Sequence, residues 1–142
     1  MYLGADPDRR ATIAEIAMSF NISESHLMKV VHFLGKKGWV ATVRGKGGGL
    51  TLGAPADSIC LGDVVRATEG APVPAACFDE SNEHCSIARV CRLRGILGEA
   101  VRAFLAVLDR YTLADLVNNR AALAPILFAP GPNPGQMAML PS

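Results

Sequence analysis

Three of the four cysteines lie close together in the chain and could share a metal. Cys77, Cys85 and Cys91 are separated first by seven and then by five residues. Thiolates bind borderline and soft metals, so this group is compatible with an iron–sulfur cluster or with zinc. Three thiolates leave one position of a four-ligand site to another donor, and His84 could fill it for zinc. The sequence therefore predicts a metal centre and leaves the metal open.

The fourth cysteine, Cys60, lies at the start of a short predicted helix among apolar neighbours and is predicted to be a packing residue. The N-terminal segment, residues 1–6, is too short and too acidic to be a secretory signal peptide. The longest apolar runs fall well below the ~20 residues that a membrane span requires. We therefore expect a cytoplasmic protein without a membrane partner, in which thiols stay reduced.

Basic residues are concentrated in the first part of the chain, although the net charge is only +1. Residues 1–53 carry seven basic and four acidic groups, whereas residues 54–142 carry seven and nine. No lysine lies beyond Lys46. This balance excludes a histone-like basic coat, but the asymmetry indicates that the N-terminal part contacts a polyanion.

Two helices joined by a short turn are predicted over residues 12–20 and 23–37. Thr12 and Glu15 form a capping-box pattern at the start of the first helix, and Ser23 can cap the second. Apolar residues at the spacing i, i+3, i+4 and i+7 mark one face of the second helix. These residues are Leu27, Val30, Val31 and Leu34.

A β-hairpin follows the second helix, because the apolar period changes from helical to strand-like after Gly38. Residues 39–44 and 50–52 are the predicted strands, and the glycine-rich residues 45–49 are the predicted flexible tip. Helix, turn, helix and hairpin is the order of a winged helix-turn-helix. The predicted fold class is thus mainly α, with a small β-hairpin wing in a DNA-binding head at residues 1–53.

The second helix of such a head lies in the major groove and presents its N-terminal residues to the bases. The wing tip carries cations among glycines, which permits close approach to the minor groove or to phosphates. The predicted DNA contacts from this reasoning are Ser23, Ser25, His26, Lys29, Arg44 and Lys46.

The C-terminal part begins with a short helix at residues 61–69 and an extended linker, within a segment that spans residues 54–76. The cysteine loop is predicted at residues 77–91, and a long helix with a short final helix at residues 92–118. The apolar residues of the long helix lie alternately four and three positions apart, which favours a homodimer over packing within one chain. They are Leu93, Leu97, Ala100, Phe104 and Val107. Five of the nine prolines lie beyond residue 124, so residues 119–142 are predicted to be a disordered tail.

Enzymatic activity is not expected, because the chain has no phosphate-binding glycine loop, paired catalytic carboxylates or Cys/His nucleophile arrangement. The glycine run at residues 45–49 lies in a hairpin rather than between a strand and a helix. A DNA-binding regulator with a cluster is the leading interpretation. The alternative is a winged-helix repressor that is stabilised by zinc or controlled by thiol oxidation.

Several segments together resemble the bacterial iron–sulfur winged-helix transcriptional regulators, the NsrR/IscR family. The resemblance covers roughly residues 1–120 and is closest to the nitric-oxide-sensitive branch. The wing and residues 108–117 look more like this branch than like the other branches of the family. The matching segments are residues 12–17, 43–49, 61–70 and 108–117, together with the three clustered cysteines.

The resemblance implies a homodimeric repressor that binds a promoter operator in double-stranded DNA. A [2Fe-2S] or [4Fe-4S] cluster would be held by the three clustered cysteines, and nitric oxide at the cluster would release the DNA. Arg44 and Gly45 match wing residues that enter the minor groove, and Ser25 matches a position of the recognition helix. Met28 stands where IscR-like members have a base-reading glutamate, so their target sequence is not transferred.

Two features depart from the family pattern. The gap between Cys77 and Cys85 is longer than usual, which indicates a loop insertion. The full first helix is absent, together with an acidic fourth ligand that it can supply to the partner subunit; Asp6 and Asp8 are not its equivalents. We hypothesise an N-terminal truncation. The remaining head helices would then lose a packing partner, at ~1.5–3 kcal/mol per large side chain, and bind DNA weakly.

Overall fold

The computed structural model describes residues 1–70, 85–87 and 90–129. Seven α-helices, a short 3-10 helix at Ala56–Ser58 and two strands lie in these ranges, and the described residues divide into two compact units. Among the described residues, one unit, the head, contains 1–56 and 114–129, and the other contains 57–70, 85–87 and 90–113. The elements are α1 Tyr2–Ala5, α2 Ile13–Phe20, α3 Glu24–Lys36, β1 Val40–Val43, β2 Gly49–Leu52, α4 Leu61–Glu69, α5 Arg92–Leu108, α6 Leu113–Leu116 and α7 Arg120–Leu127.

Both predicted helix starts of the head are confirmed. The Thr12 hydroxyl accepts the Glu15 amide at 3.2 Å, and the Glu15 carboxylate accepts the Thr12 amide at 2.7 Å. Asn21 turns the chain in the left-handed region at φ 51°. The Ser23 hydroxyl then accepts the His26 amide at 3.4 Å. At both of these helix starts, the predicted cap residue accepts a first-turn backbone amide.

The wing is an antiparallel hairpin in which Val40 pairs with Leu52 and Val43 pairs with Gly49. The preceding turn uses Gly38 at φ 78°, as expected of a helix-ending glycine. Leu50 also exchanges two backbone hydrogen bonds with Ala11, of 2.7 and 3.1 Å. The base of the wing is therefore tied to the segment before α2 as well as to its own partner strand.

The head has an apolar core that draws on both ends of the described chain. Ile16 and Ala17 of α2 and Leu27 of α3 are buried in it, and α1 and α7 supply further members. Residues of α1 and α7 therefore share a core with the helix-turn-helix, while Met18 and Phe20 of α2 remain 59% and 46% exposed. The buried members are Tyr2, Ala5, Ala11, Ile16, Ala17, Leu27, Leu50 and Leu127.

The prediction of a disordered tail over residues 119–142 is wrong for its first part. Residues 120–127 form α7, and Leu127 is 8% exposed within the head core. The Ser19 hydroxyl donates to the Leu127 carbonyl at 2.9 Å, and the Phe128 ring lies edge-on to Tyr2 at 5.0 Å. Burial of these apolar groups outweighs the cost of Pro125 inside the helix. Residues 130–142 lie outside the described residues.

The second unit is built from α4 and α5, which pack against each other. Two backbone hydrogen bonds fix its ends: Leu61 donates to Tyr111 at 3.0 Å, and Leu113 donates to Ile59 at 2.9 Å. The predicted helix at 61–69 is confirmed, and the long helix ends at Leu108. Among the described helices, none has the length and apolar content that a bilayer crossing requires.

Candidate functional site

The predicted contacts of the recognition helix are exposed along the first turns of α3. Ser23, Ser25, His26 and Lys29 are all exposed to solvent. The Ser23 and Ser25 hydroxyls lie 2.8 Å apart, within hydrogen-bond distance. Hydroxyl, imidazole and ammonium groups are thus available for bases or phosphates on an otherwise amphipathic helix.

The predicted wing contacts lie together at the hairpin tip. Arg44, Gly45 and Lys46 are exposed there, and helix α3 packs against the first wing strand. The tip is closed by a hydrogen bond from the Gly48 amide to the Gly45 carbonyl at 2.9 Å. A Cβ at Gly48 would collide with the Val43 and Gly45 carbonyls, so the bare backbone is a requirement of this turn.

One contact to the wing was missed by sequence reasoning. Arg10, which precedes the paired residue Ala11, donates from Nη1 to the Gly47 carbonyl at 2.7 Å. Nothing in the local sequence distinguishes this arginine from an ordinary solvated one. The fold alone brings it to a wing residue 37 positions away.

A polar and aromatic group links α7 to the start of α2. The Arg9 guanidinium lies 3.0 Å from the Glu15 carboxylate and 4.7 Å from the centre of the Phe128 ring. The pKa of Glu15 is lowered, first by the Thr12 amide and further by Arg9, while the Glu15 hydrogen bond raises the pKa of Arg9. The capping box is thus charged at neutral pH and connected to the C-terminal helix.

The structure describes two of the three predicted metal-binding cysteines. Cys85 is an exposed free thiol, and Cys91 is a half-buried free thiol at the N-cap of α5. The first turn of this 17-residue helix has no acidic residue and carries Arg92 and Arg94. A helix N-terminus beside arginines favours negatively charged ligands. Cys77 and the alternative ligand His84 lie outside the described residues.

Cys60 belongs to a separate polar group in the second unit. Its Sγ lies within hydrogen-bond distance of two acceptors on Asp109, the backbone carbonyl oxygen at 3.8 Å and Oδ1 at 3.9 Å. Arg66 binds the Asp109 carboxylate at 2.5 Å and the Asp63 carboxylate at 3.1 Å. The Arg66 hydrogen bond lowers the pKa of Asp109. Arg66 forms ion pairs with both carboxylates and so joins α4 to α5, although its single positive charge balances only one of the two negative charges.

The predicted dimer residues form an exposed apolar face on α5, which has no buried residue within the described chain. Leu93 is 58% exposed, Phe104 51% and Val107 45%. Ala100 is also exposed, and Leu97 is half-buried. This face is compatible with the predicted pairing of long helices, since large apolar side chains gain most from burial.

Comparison with known proteins gives a consistent family. The sequence model described as "Rrf2: Iron-dependent Transcriptional regulator" matches residues 1–119. The HTH-type transcriptional regulator NsrR of Bacillus subtilis (strain 168) is 44% identical over 128 residues, which are 89% of this chain and 88% of that protein. NsrR of Geobacillus kaustophilus (strain HTA426) is 46% identical over 128 residues, 89% of this chain and 87% of that protein.

Solved structures agree with this fold. CymR (YrzC), the global cysteine regulator of B. subtilis, has a TM-score of 0.64 and 31% identity over 82% of this chain and 85% of its own. IscR of T. potens has a TM-score of 0.64 at 24% identity over 83% of this chain and 77% of its own, and supports the fold alone.

The winged head and these matches define a helix-turn-helix transcriptional regulator. The chain belongs to the Rrf2 family of transcriptional regulators and is similar to NsrR. Its relatives are regulators rather than enzymes, in agreement with the sequence prediction.

Proposed function

We propose that this protein is a homodimeric repressor that senses nitric oxide through an iron–sulfur cluster held by Cys77, Cys85 and Cys91. The observation that carries the proposal is the free thiol of Cys91 at the basic N-terminus of α5, with the exposed Cys85 shortly before it. The similarity to NsrR and the iron-dependent family description support the same interpretation.

The donor chemistry of these residues fits an iron–sulfur cluster. Thiolates are its usual ligands, and the positive end of α5 together with Arg92 favours an anionic centre at Cys91. When bound, a cluster of either type, [2Fe-2S] or [4Fe-4S], supplies iron that reacts with nitric oxide. The three cysteines would hold the cluster next to the start of α5, the helix that carries the proposed dimer face.

Consecutive helices of the chain connect Cys91 to the head. Cys91 begins α5, and the chain then passes through α6 into α7, whose Leu127 is buried in the head core. Release of Cys91 from a metal would free the first turn of α5, and the connected elements would transmit the change. In the proposed dimer, this alters the spacing of two heads on their half-sites.

DNA recognition is assigned to the exposed surface of the head. Ser23, Ser25, His26 and Lys29 of α3 would face the major groove, and Arg44, Gly45 and Lys46 would enter the minor groove or meet phosphates. The site is a promoter operator in double-stranded DNA. The dimer would form through Leu93, Leu97, Ala100, Phe104 and Val107.

The test is anaerobic purification followed by absorbance spectroscopy, iron and sulfide analysis, and a gel shift with promoter DNA. The proposal expects brown protein with iron and sulfide. It also expects Cys77→Ala, Cys85→Ala or Cys91→Ala to lose colour and iron, whereas Cys60→Ala keeps both. Colour and iron that are unaffected by the three substitutions would contradict it.

A second candidate is a thiol-controlled or zinc-stabilised repressor without a cluster. It is favoured by the likeness to CymR, the global cysteine regulator of B. subtilis, and by the exposed thiol of Cys85. This alternative expects colourless protein. It further expects zinc by metal analysis, or DNA binding that responds to a thiol oxidant and is restored by a reductant.

A further inference from the structure

We propose that Arg10 is a positioning residue for the wing, which fixes the tip so that Arg44 and Lys46 meet DNA in one arrangement. The inference rests on the DNA-binding role proposed above for the wing. Its direct observation is the 2.7 Å hydrogen bond from Arg10 Nη1 to the Gly47 carbonyl. Gly47 is next to Lys46 in the exposed turn.

The backbone at Arg10 is itself fixed to the wing. Its neighbour Ala11 exchanges two backbone hydrogen bonds with Leu50, and these two residues are only 1% and 4% exposed. A Cβ at Gly49 would lie 3.0 Å from the Ala11 carbonyl oxygen and 3.3 Å from Arg10 Cβ. The exposed Arg10 is therefore next to a buried, paired residue, and its side chain reaches along the hairpin to the tip.

The hydrogen bond from Arg10 matters at the tip because the tip residues offer few side chains that could pack and order the turn. Four of the residues from Gly45 to Gly49 have no side chain to pack, and Gly45 and Gly47 adopt positive φ of 96° and 77°. Glycine loses more conformational entropy on ordering than other residues. A charge-assisted bond from a guanidinium to a tip carbonyl restricts this freedom before DNA is bound, which favours tighter binding.

A direct contact between Arg10 and a phosphate is the competing explanation, because the side chain is exposed and positively charged. A double-mutant cycle separates the two. If Arg10 acts through the wing, its loss matters only while the wing cations are present. If it touches DNA itself, its effect adds to theirs.

The experiment uses the full chain and the duplex that the unaltered protein enriches most from a random-sequence library. Affinity is measured for Arg10→Ala in the unaltered background and in the Arg44→Ala/Lys46→Ala background, with Lys36→Ala as a control for the loss of one positive charge. Order parameters of the Gly45–Gly48 amides are measured by NMR without DNA. Circular dichroism verifies that each variant is folded.

We expect Arg10→Ala to weaken binding about fivefold, the effect of one hydrogen bond, and by more than Lys36→Ala does. In the background without the wing cations, the loss should disappear, and the amide order parameters of the tip should fall. An equal loss in both backgrounds would assign Arg10 to DNA contact and overturn the inference, as would unchanged affinity or an unchanged tip. If the unaltered protein enriches no duplex, the proposed function fails, and the NMR measurement still tests whether Arg10 orders the tip.

Discussion

The Asp109 carboxylate occupies the space that a side chain at Gly62 would need. Gly62 lies in the first turn of α4, and Asp109 caps the end of α5. Arg66 holds the carboxylate in this place from the same helix as Gly62, with its Nη2 2.5 Å from Asp109 Oδ2. The two family-like segments, residues 61–70 and 108–117, thus meet at one contact.

We expect Gly62→Ala to destabilise the protein by about 1 kcal/mol, because the new methyl group displaces a carboxylate held by Arg66. Chemical denaturation measures the change. Gly95→Ala is the matched control, since the space around this helical glycine in α5 is open, and it should be neutral or stabilising. In an Asp109→Ala background the cost of Gly62→Ala should vanish. Equal effects of Gly62→Ala in both backgrounds would show that the contact is unimportant.

The head core should depend on the C-terminal helix. Leu127→Ala removes a side chain that is 8% exposed, and we expect a loss of about 2–4 kcal/mol in the free energy of unfolding. The neighbouring Ile126 is 74% exposed, so Ile126→Ala should change stability by less than about 0.5 kcal/mol. Urea denaturation followed by circular dichroism compares the two variants. Similar losses would contradict the packing of α7 on the head.

Protonation of the Glu15 carboxylate should contribute to the loss of folding stability at acidic pH. Its pKa is lowered in the folded state, so its contribution is present above the ordinary glutamate value and is lost as the pH drops through the lowered one. Glu15→Gln keeps an oxygen that can accept the Thr12 amide but removes the charge. Because the group is exposed, we expect a loss of only about 0.5 kcal/mol at neutral pH and a flatter acid dependence. Thermal melts across the acid range measure it, and identical pH profiles would contradict the assignment.

The wing cations should contribute to binding without reading sequence. Removal of Arg44 or Lys46 by alanine substitution should weaken binding to all duplexes alike. Each loss should also reduce the slope of log affinity against log salt by about 0.9 if the cation meets one phosphate. Fluorescence anisotropy over a range of salt concentrations provides both quantities. An unchanged salt slope in either variant would show that the substituted cation does not contact a phosphate in the unaltered protein.

In the head, the sequence predicted the features that depend on neighbouring residues but not the contacts between distant ones. Local patterns predicted both caps at Thr12 and Ser23, the turn at Asn21 and the hairpin, because each depends on residues only a few positions apart. The Arg10–Gly47 and Leu127 contacts were missed because they join distant parts of the chain. Proline content favoured disorder near Pro125, and the apolar burial that opposes it is visible only in the fold.

The sequence predicted which cysteines belong to the candidate metal site but not their structural surroundings. Spacing and resemblance point to Cys77, Cys85 and Cys91, and the structure adds the basic helix start at Cys91. Cys60 was predicted as a packing residue, whereas it is half-buried beside Asp109 and Arg66. That arrangement brings together residues up to 49 positions apart, which local periodicity does not encode.

The most direct test of the central claim is a nitric oxide titration of anaerobic protein bound to promoter DNA, with visible absorbance and DNA anisotropy recorded together. The account predicts that colour and DNA binding are lost in parallel, and that Cys60→Ala behaves like the unaltered protein. DNA that stays bound after complete bleaching, or that dissociates while the absorbance is unchanged, would contradict it.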